Sequence, residues 1–137
     1  MNTTAARARF MSDGMATLTG PRLLVALYQR LLRDLDDATA AVASGAPDEV
    51  HVALVHAEDI VYELTLALDA HLWKGAGDLA QIYEWLYHQL VAANVSKDPS
   101  LIATCRAVVA PLCEAWEEAV NADAAGELSR AAAAASV

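Results

Sequence analysis

The sequence predicts an all-α chain, an antiparallel four-helix bundle with a flexible N-terminal arm. Three observations carry that expectation. The chain is rich in Ala and Leu and poor in Gly and Pro, which favours helix over sheet. Four stretches place their apolar residues at steps of three and four, the period of a helix with one dry face. Between them stand short runs of Gly, Pro and Asp, and connections that short make consecutive helices antiparallel. At 137 residues the chain fits one domain able to bury a real core. The expected organisation is an arm over 1–16, a bundle over 17–122 and an Ala-rich tail over 123–137.

The arm is polar and broken by Gly14; Phe10, Met11 and Met15 are its only large apolar residues. Three such residues in a polar leash suit an arm that lies over apolar surface and is displaced when a partner binds, with plain disorder as the open alternative. The first helix starts near Pro21, whose missing N–H has no helical partner at that position, with Thr19 or Gly20 as cap. It runs to about Ser44 with a stripe of Leu24, Leu27, Leu31, Leu35, Ala38 and Val42. Arg30, Arg33, Asp34 and Asp37 read as its wet side, Arg30 with Asp34 and Arg33 with Asp37 at ion-pair spacing.

Gly45-Ala46-Pro47 ends that helix, and Asp48 or Glu49 opens the next, where a negative charge suits the helix dipole. The second stripe is Val50, Ala53, Leu54, Ala57, Ile60, Val61, Leu64, Leu68 and Leu72. After Gly75 and Gly77, Asp78 caps the third helix, whose stripe is Ile82, Tyr83, Leu86, Tyr87, Leu90, Val91 and Val95; Glu84, His88 and Gln89 face water. Asp98 caps the fourth helix with Pro99 at its first position. Its stripe is Leu101, Ile102, Cys105, Val108, Val109, Leu112, Trp116 and Val120, with a kink expected at Pro111. From Asp123 the alanine run has no period to read, so frayed helix and disordered tail stay open.

Net charge is −9 with nine scattered Lys and Arg, an arrangement that argues against nucleic acid and keeps an apolar chain in solution. The N-terminus has no apolar core of signal-peptide length, and no stretch approaches the ~18 apolar residues of a membrane span, so a cytoplasmic location is expected. Cys105 and Cys113 lie on one helix about 12 Å apart, too far for a disulfide, and read as buried thiols.

Enzyme chemistry finds little support. A dinuclear metal site in a bundle needs inward Glu residues and two Glu-x-x-His motifs. The nearest segments are Asp48-Glu49-Val50-His51, at a helix end, and Glu84 to His88, with the wrong spacing. His51 and His56 do not share a face, and His71 precedes a loop. Nucleophilic triads, a phosphate-binding loop and a dinucleotide turn are absent, so no catalytic residue, metal, cofactor or small-molecule substrate is expected. What stands out is helix-borne aromatic surface: Tyr28, Tyr62, Tyr83, Tyr87, Trp73, Trp85 and Trp116. Trp85 falls among Gln81, Glu84, His88 and Gln89, and an aromatic on a wet face suits a partner groove.

On these residues the chain resembles the FliS family of flagellar secretion chaperones. The resemblance runs from Phe10 to about Val120. It rests on ATLTGPRLLVALYQRLLRDLDDA, HAEDIVYELTLALD, IYEWLYHQLVAANVSKD and CEAWEEAV, in order and spacing. Three positions depart from the family: Thr19-Gly20-Pro21 replaces a Ser-Pro or Thr-Pro start, Phe10 stands where Tyr is usual, and Gln29 follows Tyr28 in place of Asp or Asn. The resemblance implies a chaperone, not an enzyme. It implies binding of the C-terminal segment of flagellin, prevention of its premature polymerisation, and delivery to the flagellar export gate. A long apolar groove with anchors three and four residues apart would serve a helix so held. The candidate flagellin contacts are Phe10, Met11, Met15, Leu24, Tyr28, Ile60, Leu64, Tyr83, Trp85, Tyr87 and Asn94. A monomer or weak dimer is expected when free. The alternatives are a bundle adaptor for another amphipathic helix and a metal-binding bundle.

Overall fold

Helix boundaries here follow from local chemistry. The structure, a computed structural model, describes residues 20–69 and 76–135. They form α1 (Gly20–Ala43), α2 (Pro47–Asp69), α3 (Ala76–Ser96) and α4 (Pro99–Ala135). Gly45 ends α1 at φ 70°, a left-handed conformation that glycine adopts without steric penalty. Around it Ala46 N–H donates to Ala41 C=O at 2.9 Å and Gly45 N–H to Val42 C=O at 3.1 Å, the paired bonds that satisfy a helix's last carbonyls. Pro47 then opens α2, with Asp48 and Glu49 in its first turn. Asp98 accepts from the Ser100 N–H at 2.9 Å and the Ser100 hydroxyl at 2.8 Å, and Pro99 follows as the first residue of α4. Those two bonds hold the Asp98 carboxyl below the usual aspartate range. Asp78, expected as a cap, lies instead within the first turn of α3, which begins at Ala76.

α4 continues through Pro111 and past residue 123 to Ala135. Alanine has the highest helix propensity, and a helix already nucleated by packing extends into such a run at little cost. Beyond Glu127 its residues are exposed. Leu72 and the other residues of 70–75 lie outside the described residues.

Each helix packs beside its neighbours in sequence, and α4 returns beside α1. α1 and α3 are therefore one diagonal of the bundle, and α2 and α4 the other. The core is filled by Leu31 and Leu35 of α1, Leu54 and Leu64 of α2, Leu86 and Leu90 of α3, and Ile102 and Val109 of α4, all fully buried. Each such side chain stabilises the fold by roughly 1.5–3 kcal/mol.

Two features depart from the stripes read in the sequence. Tyr87, Val91 and Val95 of α3 are at the surface, Val95 82% exposed, while Leu79 and Ala93 take places in the core. Those three occupy a flank of α3 that its neighbours leave uncovered. On α1, Asp34 is not on the wet side: it is 2% exposed, three residues after Leu31 and four before Ala38. That spacing puts it on the dry face, where Arg30 Nε donates to it at 3.3 Å and His56 Nδ1 from α2 donates to its other oxygen.

One polar contact crosses the core. The Tyr28 hydroxyl of α1 hydrogen-bonds the Tyr83 hydroxyl of α3, with ring centroids 6.5 Å apart. Burial raises the pKa of both phenols, so the pair stays neutral. The Trp116 indole and the Cys113 thiol lie near the Tyr28 hydroxyl. Cys113 Sγ donates to Glu117 Oε1 at 3.1 Å; burial first, then that carboxylate, pushes the thiol up to about 12. Burial pushes Cys105 up to about 11.

Removing one hydroxyl, in Tyr28→Phe or Tyr83→Phe, strands its buried partner and costs about 1–3 kcal/mol. The double variant loses less than the sum of the singles, because no hydroxyl is then stranded. Urea unfolding measures all three, and additive losses would show that the hydroxyls are not partners. At pH 8 about a thousandth or less of either thiol is ionised, so a thiol-specific disulfide reagent labels the native chain far more slowly than the unfolded one. Prompt labelling of two thiols in the native state would contradict the burial described here.

Candidate functional site

Apolar residues on α1 keep to one face, whereas α2 carries a second row on its outer side. That row is Val52, Val55, Tyr62 and Leu66, spaced by three, seven and four residues, with Tyr62 56% exposed. On α3, Tyr87, Val91 and Val95 follow at intervals of four, Tyr87 42% exposed. Val52 lines the side of α2 that faces α1, and from Val55 onward the two rows border one seam. Asn94 Nδ2 of α3 donates to His51 Nδ1 of α2 at 2.9 Å, and Lys97 donates to the Asn94 carbonyl oxygen. Counting back along the two antiparallel helices from that bond brings Val91 level with Leu54, beside Val55, and Tyr87 level with Glu58. The strip is about 17 Å long over residues 55–66, about three turns of a docked helix. Apart from Val52, Trp85 and Leu128, it holds every exposed large hydrophobic among the described residues. An apolar strip of this length on a charged chain marks an interaction surface.

Trp85 lies on the other flank of α3, towards α4. With Asp78, Gln81, Ile82 and Val108 it lines a shallow groove of about 400 Å³. A cavity of about 690 Å³ between α1 and α2 is of another character, lined by Arg30, Asp34, Asp37, Asp48, Glu49 and His56 among others. Burial raises the pKa of Asp34 there, and the His56 bond and then Arg30 oppose the rise. Among the described residues no group of three or more His, Cys, Asp or Glu is placed to hold a metal ion. No described helix is long and apolar enough to cross a membrane.

The residues singled out in the sequence fall into three groups. Tyr28, Ile60, Leu64 and Tyr83 are packed inside the core, and Leu24 is half-buried against it. Trp85, Tyr87 and Asn94 are within reach of the surface, Tyr87 and Asn94 on the α2–α3 seam and Trp85 on the α3–α4 groove. Phe10, Met11 and Met15 lie outside the described residues. Sequence reasoning missed the outer row of α2. Its signal is present: Val52, Val55, Tyr62 and Leu66 keep a helical period out of phase with the core stripe through Leu54, Val61 and Leu64.

A bundle with an apolar outer seam has the geometry of an interaction surface. Comparison with known proteins says of which kind. The family model described as flagellar protein FliS matches residues 2–123. A protein of Bacillus subtilis (strain 168) named flagellar secretion chaperone FliS is 24% identical over 114 residues, covering 83% of this chain and 85% of that protein. With the family model spanning nearly the whole bundle, the chain belongs to the FliS family of flagellar proteins.

Proposed function

We propose that the chain is a cytoplasmic export chaperone for flagellin. It binds flagellin's C-terminal segment, keeps it from polymerising early, and hands it to the flagellar export gate. The observation that carries this reading is the strip formed by Val55, Tyr62 and Leu66 of α2 with Tyr87, Val91 and Val95 of α3. An amphipathic helix laid along it meets anchors four and seven residues apart, a spacing of its own apolar face. Trp85 in the α3–α4 groove offers a second contact to a segment that wraps around α3. The −9 charge keeps the free chaperone soluble while the strip is open, and the free chain is monomeric or weakly dimeric.

Calorimetric titration with a flagellin C-terminal fragment tests the assignment. Binding is accompanied by a large negative heat-capacity change from apolar burial. The double variant Tyr62→Ala with Leu66→Ala weakens it by about tenfold or more, about 1.4 kcal/mol, whereas Arg33→Ala on the outer face of α1 leaves it unchanged. Full affinity in the double variant would remove the strip from the binding site.

A further inference from the structure

The strip is not wholly apolar: Asp59 falls in the α2 row, His51 and Asn94 meet on the seam, and Glu58 stands beside them. Glu58 lies on α2 one turn after Val55 and one turn before Tyr62, level with Tyr87 across the seam. Its Oε2 is closed off from solvent and meets no hydrogen-bond donor among the described residues. A dry carboxylate oxygen without a donor is costly. Of the neighbouring charges, His51 favours the ionised carboxylate and Asp59 opposes it, and His51 is also engaged with Asn94. Burial, then Asp59, raises the Glu58 pKa. Tyr62 and Tyr87 are both surface side chains, so a change of rotamer opens the carboxylate to a docked residue.

A cation satisfies the carboxylate. An ammonium or guanidinium placed here ionises Glu58 and donates to its oxygens. A neutral hydroxyl or amide would satisfy one oxygen and leave the carboxylate's own charge unpaired. We propose that Glu58 determines which helix the strip accepts: an amphipathic helix carrying one Lys or Arg within its apolar face, opposite Glu58. This rests on the strip being the flagellin site, and it adds a charge requirement to a mainly apolar surface. The stem of a Lys or Arg covers the apolar rim while its head reaches the carboxylate. A helix with a wholly apolar face would leave Glu58 buried and unpaired, and is disfavoured for that reason.

The test titrates the full-length chaperone with the flagellin C-terminal segment at low and high salt. Glu58→Gln binds about tenfold weaker or more at low salt and loses most of the salt dependence, while its melting temperature is unchanged or higher. Glu58→Lys abolishes binding, and one substitution among the segment's basic residues, Lys→Glu or Arg→Glu, restores it. If Glu58→Gln binds within about twofold of the parent while Tyr62→Ala weakens binding, the strip stands and the charge requirement falls. If neither variant changes binding, the strip is not the site and both readings fall. If no charge reversal in the segment rescues Glu58→Lys, the proposal is likewise overturned.

Discussion

The hydroxyl pair of Tyr28 and Tyr83 is the contact on which the arrangement of this bundle depends. Hydrophobic burial is non-directional, and helices packed by leucines alone can slide by a turn at modest cost. Two buried phenols resist sliding, because each then loses the partner that offsets much of its desolvation. Tyr28 and Tyr83 belong to diagonal helices, so their bond fixes α1 against α3 through the middle of the core. α2 and α4, wedged between them, inherit the register. Asp34 with His56 repeats the device on the α1–α2 seam, and Asn94 with His51 on the α2–α3 seam.

A core pinned in this way has finite room, and the chain is 56% hydrophobic. Each helix can turn only one face inward, so the surplus must lie outside. It is not spread evenly. The outer face of α1 carries Arg33, Asp36 and Asp37, and Arg106 of α4 pairs with Asp36 at 2.8 Å. The surplus collects on α2 and α3, where Tyr62, Leu66, Tyr87 and Val91 share a seam. In a monomer such a strip is a liability. On the function proposed above it is the binding surface, and the acidic remainder of the molecule keeps it from clumping.

What the sequence made legible was whatever local chemistry decides. The Gly45 turn, the Asp98 cap with Pro99 and the pairing of Arg30 with Asp34 depend on residues a few positions apart, and each is found as expected. What it obscured depends on neighbours in space. Tyr83 and Tyr87 are one turn apart and chemically alike, yet one meets Tyr28 in the core and the other meets His88 edge-on at the surface. A helical wheel with a broad apolar arc cannot say which edge of the arc a neighbour covers. Asp34 was misread as wet because its charge outweighed its spacing. Glu58 drew no notice because its carboxylate matters only once α3 lies beside it.

The account stands or falls on whether the α2–α3 strip is where flagellin's segment lies. Hydroxyl-radical footprinting of the chaperone with and without the bound segment reads this side chain by side chain. Tyr62, Leu66 and Tyr87 should be oxidised readily in the free protein and become protected in the complex, while Tyr28 and Tyr83 stay protected in both. Unchanged oxidation of Tyr62 and Tyr87 in a verified complex would contradict the account.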